Sequence, residues 1–369
     1  MLACSMLFGL TLATGVSHAA DQQNIQRIGL SLPMTGTASL LAGQFLQGAR
    51  LAVEELKPGG AVELVVADDG CDTAIAELAA ADLKNAGIAI ATGYLCNEAA
   101  FAAVRGMRST GIAILVAGAR SERLLKDRGR ENWNVWRMSP ADRDAAALAA
   151  QRLSARWRGR PWAIVDDGTA YGRTFADEFR AMMEEAGQPP QFADNFRPAQ
   201  STQSGLVRRL RSSGVTAVFI AASAEDLAVI AGNMRQAEAS FELAGGPTFD
   251  LLPWIEQAKD IPDGLLAVIE PQPVTLSQAR ELTEKLAERE IEPESYVYLG
   301  YAALQIAIAA LRDNPAATNA ALAETVFQTV LGNIDFDADG RNRVNPYELQ
   351  IWQDGAFRPA PPEPAESAR

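Results

Sequence analysis

From Arg27 onward, short apolar runs alternate with segments whose apolar residues recur at helical spacing, the pattern of a parallel sheet flanked by helices. A first series predicts strands at Arg27–Leu32, Val62–Ala67, Ile88–Thr92 and Ile112–Val116, separated by helices over Gly43–Leu56, Thr73–Asn85 and Glu98–Ser109. A second series opens near Pro140, with strands at Trp162–Val165, Ala217–Ala221 and Glu242–Ala244. Its helices fall near Ala141–Arg156, Gly172–Ala186, Thr202–Ser212 and Glu225–Gln236. After Gly264 come another apolar run, Leu265–Ile269, and three helical stretches near Leu276–Arg289, Ser295–Arg312 and Ala316–Val330, which the pattern returns to the first half. The expected division is a discontinuous N-terminal lobe of residues 26–139 with 265–343, a C-terminal lobe of 140–264 with 344–358, and a Pro-rich disordered tail at 359–369. Two such α/β halves carry their loops at the strand carboxyl ends, so the crevice between them is the predicted site.

The length of 369 residues agrees with two domains rather than one. With 33 Lys and Arg against 46 Asp and Glu, the net charge of −13 disfavours a grip on phosphate backbones, and nucleic acid is set aside. Residues 1–20 hold no Asp, Glu, Lys or Arg, carry an apolar core from Leu2 to Val16 and end Ser17-His18-Ala19-Ala20. This is the outline of a signal peptide, residues 1–19, cleaved after Ala19 for export to the periplasm; an uncleaved membrane anchor is the alternative. Cys4 and His18 would leave with it. The mature chain would then hold Cys71 and Cys96 alone, a pair expected to be disulfide-bonded in an oxidising compartment, against the alternative of two buried thiols. Without histidine it can build neither a Ser-His-Asp arrangement nor a histidine-ligated metal site.

Asp68-Asp69-Gly70-Cys71-Asp72 ends the second predicted strand. Its carboxylates invite an acid/base or metal reading, but Asp and Gly also turn a chain, and Asp72 is placed to cap the next helix. Gly93-Tyr94-Leu95-Cys96-Asn97-Glu98 ends the third strand, with Asn97 a natural N-cap and Glu98 in the first helical turn. Asp335-Phe-Asp337-Ala-Asp339-Gly340 begins like a calcium loop, yet Pro346 stands where a bidentate Glu is needed. A turn between strands, with Phe336 and Val344 facing a core, is the expectation there.

The opening Ile28-Gly-Leu-Ser-Leu-Pro-Met-Thr-Gly36, the Asp-Asp-Gly-Cys-Asp run, Gly93-Tyr-Leu-Cys96 and Ala163-Ile-Val-Asp-Asp-Gly-Thr-Ala-Tyr-Gly172 together resemble the leucine/isoleucine/valine-binding proteins, type I periplasmic solute-binding proteins of ABC transporters. The likeness runs from about Arg27 to Gly355. It implies two Rossmann-like α/β lobes with parallel sheets flanked by helices, joined by three crossovers near Met138–Pro140, Ile261–Gly264 and Asn342–Pro346. It further implies a cleft that closes over ligand, a monomer, delivery to an ABC transporter permease in the inner membrane, and no cofactor or metal.

The resemblance also assigns ligand contacts: Asn97 after the second cysteine, the loop Gly118-Ala119-Arg120, Tyr171, Ser223 where the family has Tyr, and Thr248 at the family's acidic position, with Asp250 a substitute for it. Arg120 replaces a small hydroxyl residue. A guanidinium offers a planar fork for a carboxylate and is costly to bury unpaired. The ligand expected is therefore a small carboxylate with a neutral or aromatic far end, or an amino acid. The bland alternative puts Arg120 at the surface or pairs it with a protein acid such as Glu98. A sensing subunit of a signalling receptor and an enzyme using Asp68, Asp69, Asp166 or Asp167 stay open as competing functions.

Overall fold

Strands that are apolar nearly throughout belong inside a parallel sheet covered on both faces. In the computed structural model, which describes residues 25–361 apart from 57–60, 313–315 and 317, they lie there. The expected signal peptide and residues 362–369 fall outside the described residues. The first lobe runs β1 (Gln26–Leu32), α1 (Ser39–Leu56), β2 (Val62–Asp68), α2 (Thr73–Asn85), β3 (Ile90–Gly93), α3 (Asn97–Gly106), β4 (Ala113–Val116), α4 (Glu122–Lys126), α5 (Arg128–Glu131) and β5 (Val135–Arg137). Among the described residues its parallel sheet has the order β2-β1-β3-β4-β5. The second lobe follows with α6 (Asp142–Arg156), β6 (Trp162–Asp166), α7 (Ala170–Glu185), β7 (Phe192–Asn195), α8 (Ser204–Ser213), β8 (Ala217–Ala221), α9 (Ala224–Gln236), β9 (Glu242–Gly245), a 3₁₀ segment Pro247–Trp254 and β10 (Leu266–Ile269). The chain then forms α10 (Arg280–Glu288), α11 (Ser295–Leu311), α12 (Thr318–Glu324), the hairpin β11 (Val326–Thr329) and β12 (Gly332–Asp335), and finally β13 (Glu348–Gln353) and β14 (Ala356–Pro359). Each main sheet separates two apolar clusters.

Several expectations need correction. Leu265–Ile269 was assigned to the first lobe, but β10 pairs in parallel with β9 and antiparallel with β13, giving the second sheet the order β14-β13-β10-β9-β8-β6-β7. The second crossing therefore follows Ile269 instead of lying at Ile261–Gly264. An apolar run announces a buried strand without saying which sheet it joins. The stretch Ala316–Val330 is only partly helical: Val326–Thr329 alternates exposed and buried residues with period two, and it pairs antiparallel with β12. Pro359, placed in the tail, pairs with Gln350 on the edge strand β14, where a missing N–H is tolerated. Phe336 is buried as expected, whereas Val344 is exposed. Strands β5 and β7 were not foreseen: β5 has three residues, and β7, half-exposed Phe-Ala-Asp-Asn, presents no apolar run.

The return to the first lobe is carried by α11, which packs along α1. Their backbones meet at two glycines. A Cβ on Gly48 would lie 1.8 Å from the Val297 carbonyl oxygen, and one on Gly300 would lie 2.0 Å from that of Phe45. Gly48→Ala should therefore destabilise the protein by about 3 kcal/mol or more, at the upper end of overpacking costs because backbone cannot step aside. Gly43→Ala, on the same helix with nothing within 4 Å of the added carbon, should be neutral or stabilise by about 0.5–1 kcal/mol. Urea unfolding of the two variants checks both.

Candidate binding site between the lobes

The loops at the carboxyl ends of β1 to β4 are cross-braced by side chains. Asp68 accepts from Thr35 Oγ1 at 2.7 Å and from the Gly70 N–H at 2.9 Å. Asp69, wholly buried, accepts from Ser31 Oγ at 2.8 Å and from the Cys71 N–H at 3.0 Å. Burial pushes the Asp69 carboxyl up, against those two hydrogen bonds. Asp72 caps α2 by accepting from the Ala74 and Ile75 N–H groups. The carboxylates of this run are thus committed to local structure, and no group of His, Cys, Asp and Glu among the described residues could hold a metal ion. Cys71 and Cys96 form a disulfide, their Cα atoms 5.5 Å apart.

Cys96, not Asn97, stands at the N-cap of α3. Asn97 is the first helical residue, and its Oδ1 accepts from the Ser121 N–H at 3.1 Å, tying the loop after β3 to the loop after β4. In the latter, Gly118 abuts Leu95 so closely that a Cβ would lie 3.0 Å from its Cα. Ala119 is buried, its N–H donating to the Tyr94 carbonyl at 2.9 Å and its carbonyl accepting from Ser139 Oγ at 2.8 Å.

Arg120 points into the crevice and reaches groups at the base of the second lobe. Its Nη2 donates to Glu270 Oε1 at 2.5 Å and its Nη1 to the Tyr347 hydroxyl at 2.7 Å. The protein acid it pairs with is Glu270, directly after β10, and not Glu98. Burial opposes the guanidinium charge, but Glu270 and Tyr347 outweigh it and its pKa is raised.

A cavity of about 470 Å³ lies here, lined by Gly118, Arg120, Asp250, Glu270, Tyr296 and Tyr347 among others. All three crossings contribute to its wall, through Met138–Pro140, Glu270–Pro273 and Asn342 with 344–347. Of the residues expected at the site, Gly118, Arg120 and Asp250 come together in this cavity. Asn97, Ala119, Tyr171, Ser223 and Thr248 lie outside its lining. Ser223 instead caps α9 by accepting from the Asp226 N–H at 3.2 Å, and Thr248 Oγ1 donates to the Ala222 carbonyl at 2.7 Å. Tyr171, in the first turn of α7, stacks on Phe175 with ring centroids 6.0 Å apart and stays within electrostatic reach of Arg120 and Asp250. Glu270, Tyr296 and Tyr347 were missed. Glu270 ends a buried strand, and assigning that strand to the second sheet would have marked it; Tyr296 and Tyr347 carry no such signal.

Desolvation between the lobes pushes the Asp250 pKa up to about 6, with Arg120 pulling it down and Glu270 raising it. Tyr296 is raised as well, chiefly by burial.

Two sheets with their loops facing across a crevice, three crossings and a charged cavity between them define a two-lobed solute-binding protein. The family model described as periplasmic binding protein matches residues 25–356, and the chain belongs to that family; it is a binding protein and not an enzyme. It is 24% identical to Leu/Ile/Val-binding protein homolog 1 of Brucella melitensis over 95% of this chain and 97% of that one. An ABC transporter substrate-binding protein from Desulfitobacterium hafniense in complex with Leu shares the fold at TM-score 0.74 and 22% identity, over 91% of this chain and 99% of that one. A solute-binding protein of an ABC transporter from Rhodopseudomonas palustris, in complex with p-hydroxybenzoic acid, does so at TM-score 0.72 and 15% identity, over 90% and 95%.

The raised pKa of Asp250 has a thermodynamic consequence. The folded state holds this proton more tightly than the unfolded chain, whose value is near 3.8, so the Asp250 contribution to stability falls as pH rises from about 4 to about 6. Asp250→Asn should therefore raise the melting temperature at pH 7.5, and the difference from the parent should vanish below pH 4. Calorimetry across that range checks it; an equal difference at both ends would contradict the assignment.

Proposed function

We propose that the chain, once exported to the periplasm with its signal peptide removed, acts as a monomer that captures a small amino acid or related carboxylate between its lobes and delivers it to an ABC transporter permease in the inner membrane. One observation carries the reading. Arg120, from the first lobe, and Asp250, from the second, line the same cavity with opposite charges. A guanidinium has five N–H donors, and Arg120 spends one on Glu270 and one on Tyr347, which leaves donors for a ligand carboxylate. Asp250 accepts from a ligand ammonium. The ligand bridges the lobes, so its binding energy favours closure. Asn97 and Ala119 support this arrangement by fixing the Arg120 loop, and Gly118 lets that loop lie against Leu95. From the second lobe, Tyr171 stays within electrostatic reach of Arg120 and Asp250, while Ser223 and Thr248 hold main-chain groups through the α9 cap and the Ala222 carbonyl.

A second reading, an aromatic carboxylate with a neutral far end, draws on Tyr296 and Tyr347 in the cavity wall. The resemblance to the p-hydroxybenzoic acid complex points the same way.

Thermal unfolding against amino acids, their keto and hydroxy acids, and benzoates separates the two. A ligand at a thousand times its Kd adds about 4 kcal/mol of apparent stability. A shift with amino acids supports the first reading, a shift with benzoates alone the second, and no shift with any member rejects both. Arg120→Ala should weaken the ligand so found at least about thirtyfold, the cost of deleting one partner of a desolvated charge pair. Isothermal titration checks it, and unchanged affinity in a folded variant would remove Arg120 from the site.

A further inference from the structure

We infer that Glu270 is a specificity-determining residue: by neutralising Arg120 it makes the cleft reject purely anionic ligands in favour of ligands that carry their own cationic group. The inference rests on the proposed capture of a small amino acid or carboxylate, and it concerns which of those classes is admitted.

The charged side chains that line the cavity are Arg120, Asp250, Glu270 and Glu348, so among the described residues one guanidinium faces three carboxylates. Asp142, at the start of α6, adds a fourth carboxylate within electrostatic reach of Arg120. The single cation is already in contact with Glu270 at 2.5 Å. A bare carboxylate entering this cavity would share Arg120 with Glu270 and be repelled by the remaining acids. Like charges set side by side in a binding site repel and weaken binding. An ammonium on the ligand reverses the sign of that interaction.

Glu270 is well placed to impose this. It follows β10 directly, and the last residue of that strand, Ile269, pairs with Glu348 of β13, so the sheet fixes the backbone from which the carboxylate projects. Tyr347 holds the other side of the fork with its hydroxyl, while its ring packs in the apolar core of the second lobe. The fork is thus fixed in orientation with its charge offset before any ligand arrives. Specificity is a difference of affinities, and here the repulsive partner is part of the protein.

The test uses leucine and 4-methyl-2-oxopentanoate, which share a carbon skeleton and a carboxylate and differ in the ammonium. Isothermal titration of the full mature chain is run on the parent, Glu270→Gln, and Glu270→Gln combined with Arg120→Ala. In Glu270→Gln the affinity for the keto acid should rise at least about tenfold over the parent, well beyond any gain for leucine. The double variant should lose that gain, because the freed fork is its source. Should the amide variant fail to fold by circular dichroism, Glu270→Ala is read in the same way. A keto-acid affinity that is unchanged or lower, or no keto-acid binding by either protein, overturns the inference. Leucine binding by the parent reports separately on the amino-acid reading. A keto-acid gain in Glu270→Gln without leucine binding by the parent would uphold the role of Glu270 and reject that reading.

Discussion

The guanidinium of Arg137 is shut off from solvent at the end of β5, and a charge so placed must be met by acceptors or the fold does not form. The acceptors come from the segments the site is made of. Its Nη1 donates to the Arg120 carbonyl at 2.9 Å and its Nη2 to Glu122 at 2.8 Å, while Glu122 also receives Arg341 at 2.7 Å. The Arg137 backbone continues the arrangement, its N–H donating to the Gly340 carbonyl and its carbonyl accepting from the Asn342 N–H, so the first and third crossings run side by side. One buried cation therefore joins the end of the first sheet, the loop that presents Arg120, and two of the three strands between the lobes. Its Nε has no partner, a local cost that the surrounding bonds offset.

Much of the fold was legible because parallel strands buried on both faces leave long apolar runs and their helices leave amphipathic ones. Thr73–Asn85 and Ala217–Ala221 were bounded correctly to the residue. β5 is only three residues long, and β7 (Phe-Ala-Asp-Asn) is half-exposed and carries no apolar run to register, while β10 was recognised as a strand but given to the wrong sheet. Pairing is a tertiary decision. The 3₁₀ turns after β9 and the hairpin after α12 are likewise set by what they pack on and not by local pattern alone.

The site was legible in a different way. Arg120 drew attention as a charge where the family resemblance expects a small hydroxyl residue, and Asp250 as a substitute for the family's acidic residue, and both stand in the cavity. Asn97, Ser223 and Thr248 were assigned by their place in the family resemblance, yet their side chains serve the main chain: a loop amide, a helix cap and a carbonyl. Short polar residues at strand ends have backbone groups within immediate reach, and sequence does not tell which partner they choose. Glu270 and Tyr347 could be placed only once β10 and β13 were known to be neighbours.

Because all three crossings contribute to the cavity wall, the surfaces proposed to recognise a solute are also the segments that join the lobes. On the proposed reading, a substitution at Glu270 or Tyr347, which line both the cavity and the crossings, would alter the complementarity to the solute and the joint together. Residence time and selectivity would then be tied together in this chain, because the same residues would set how well a solute fits and how readily the lobes part.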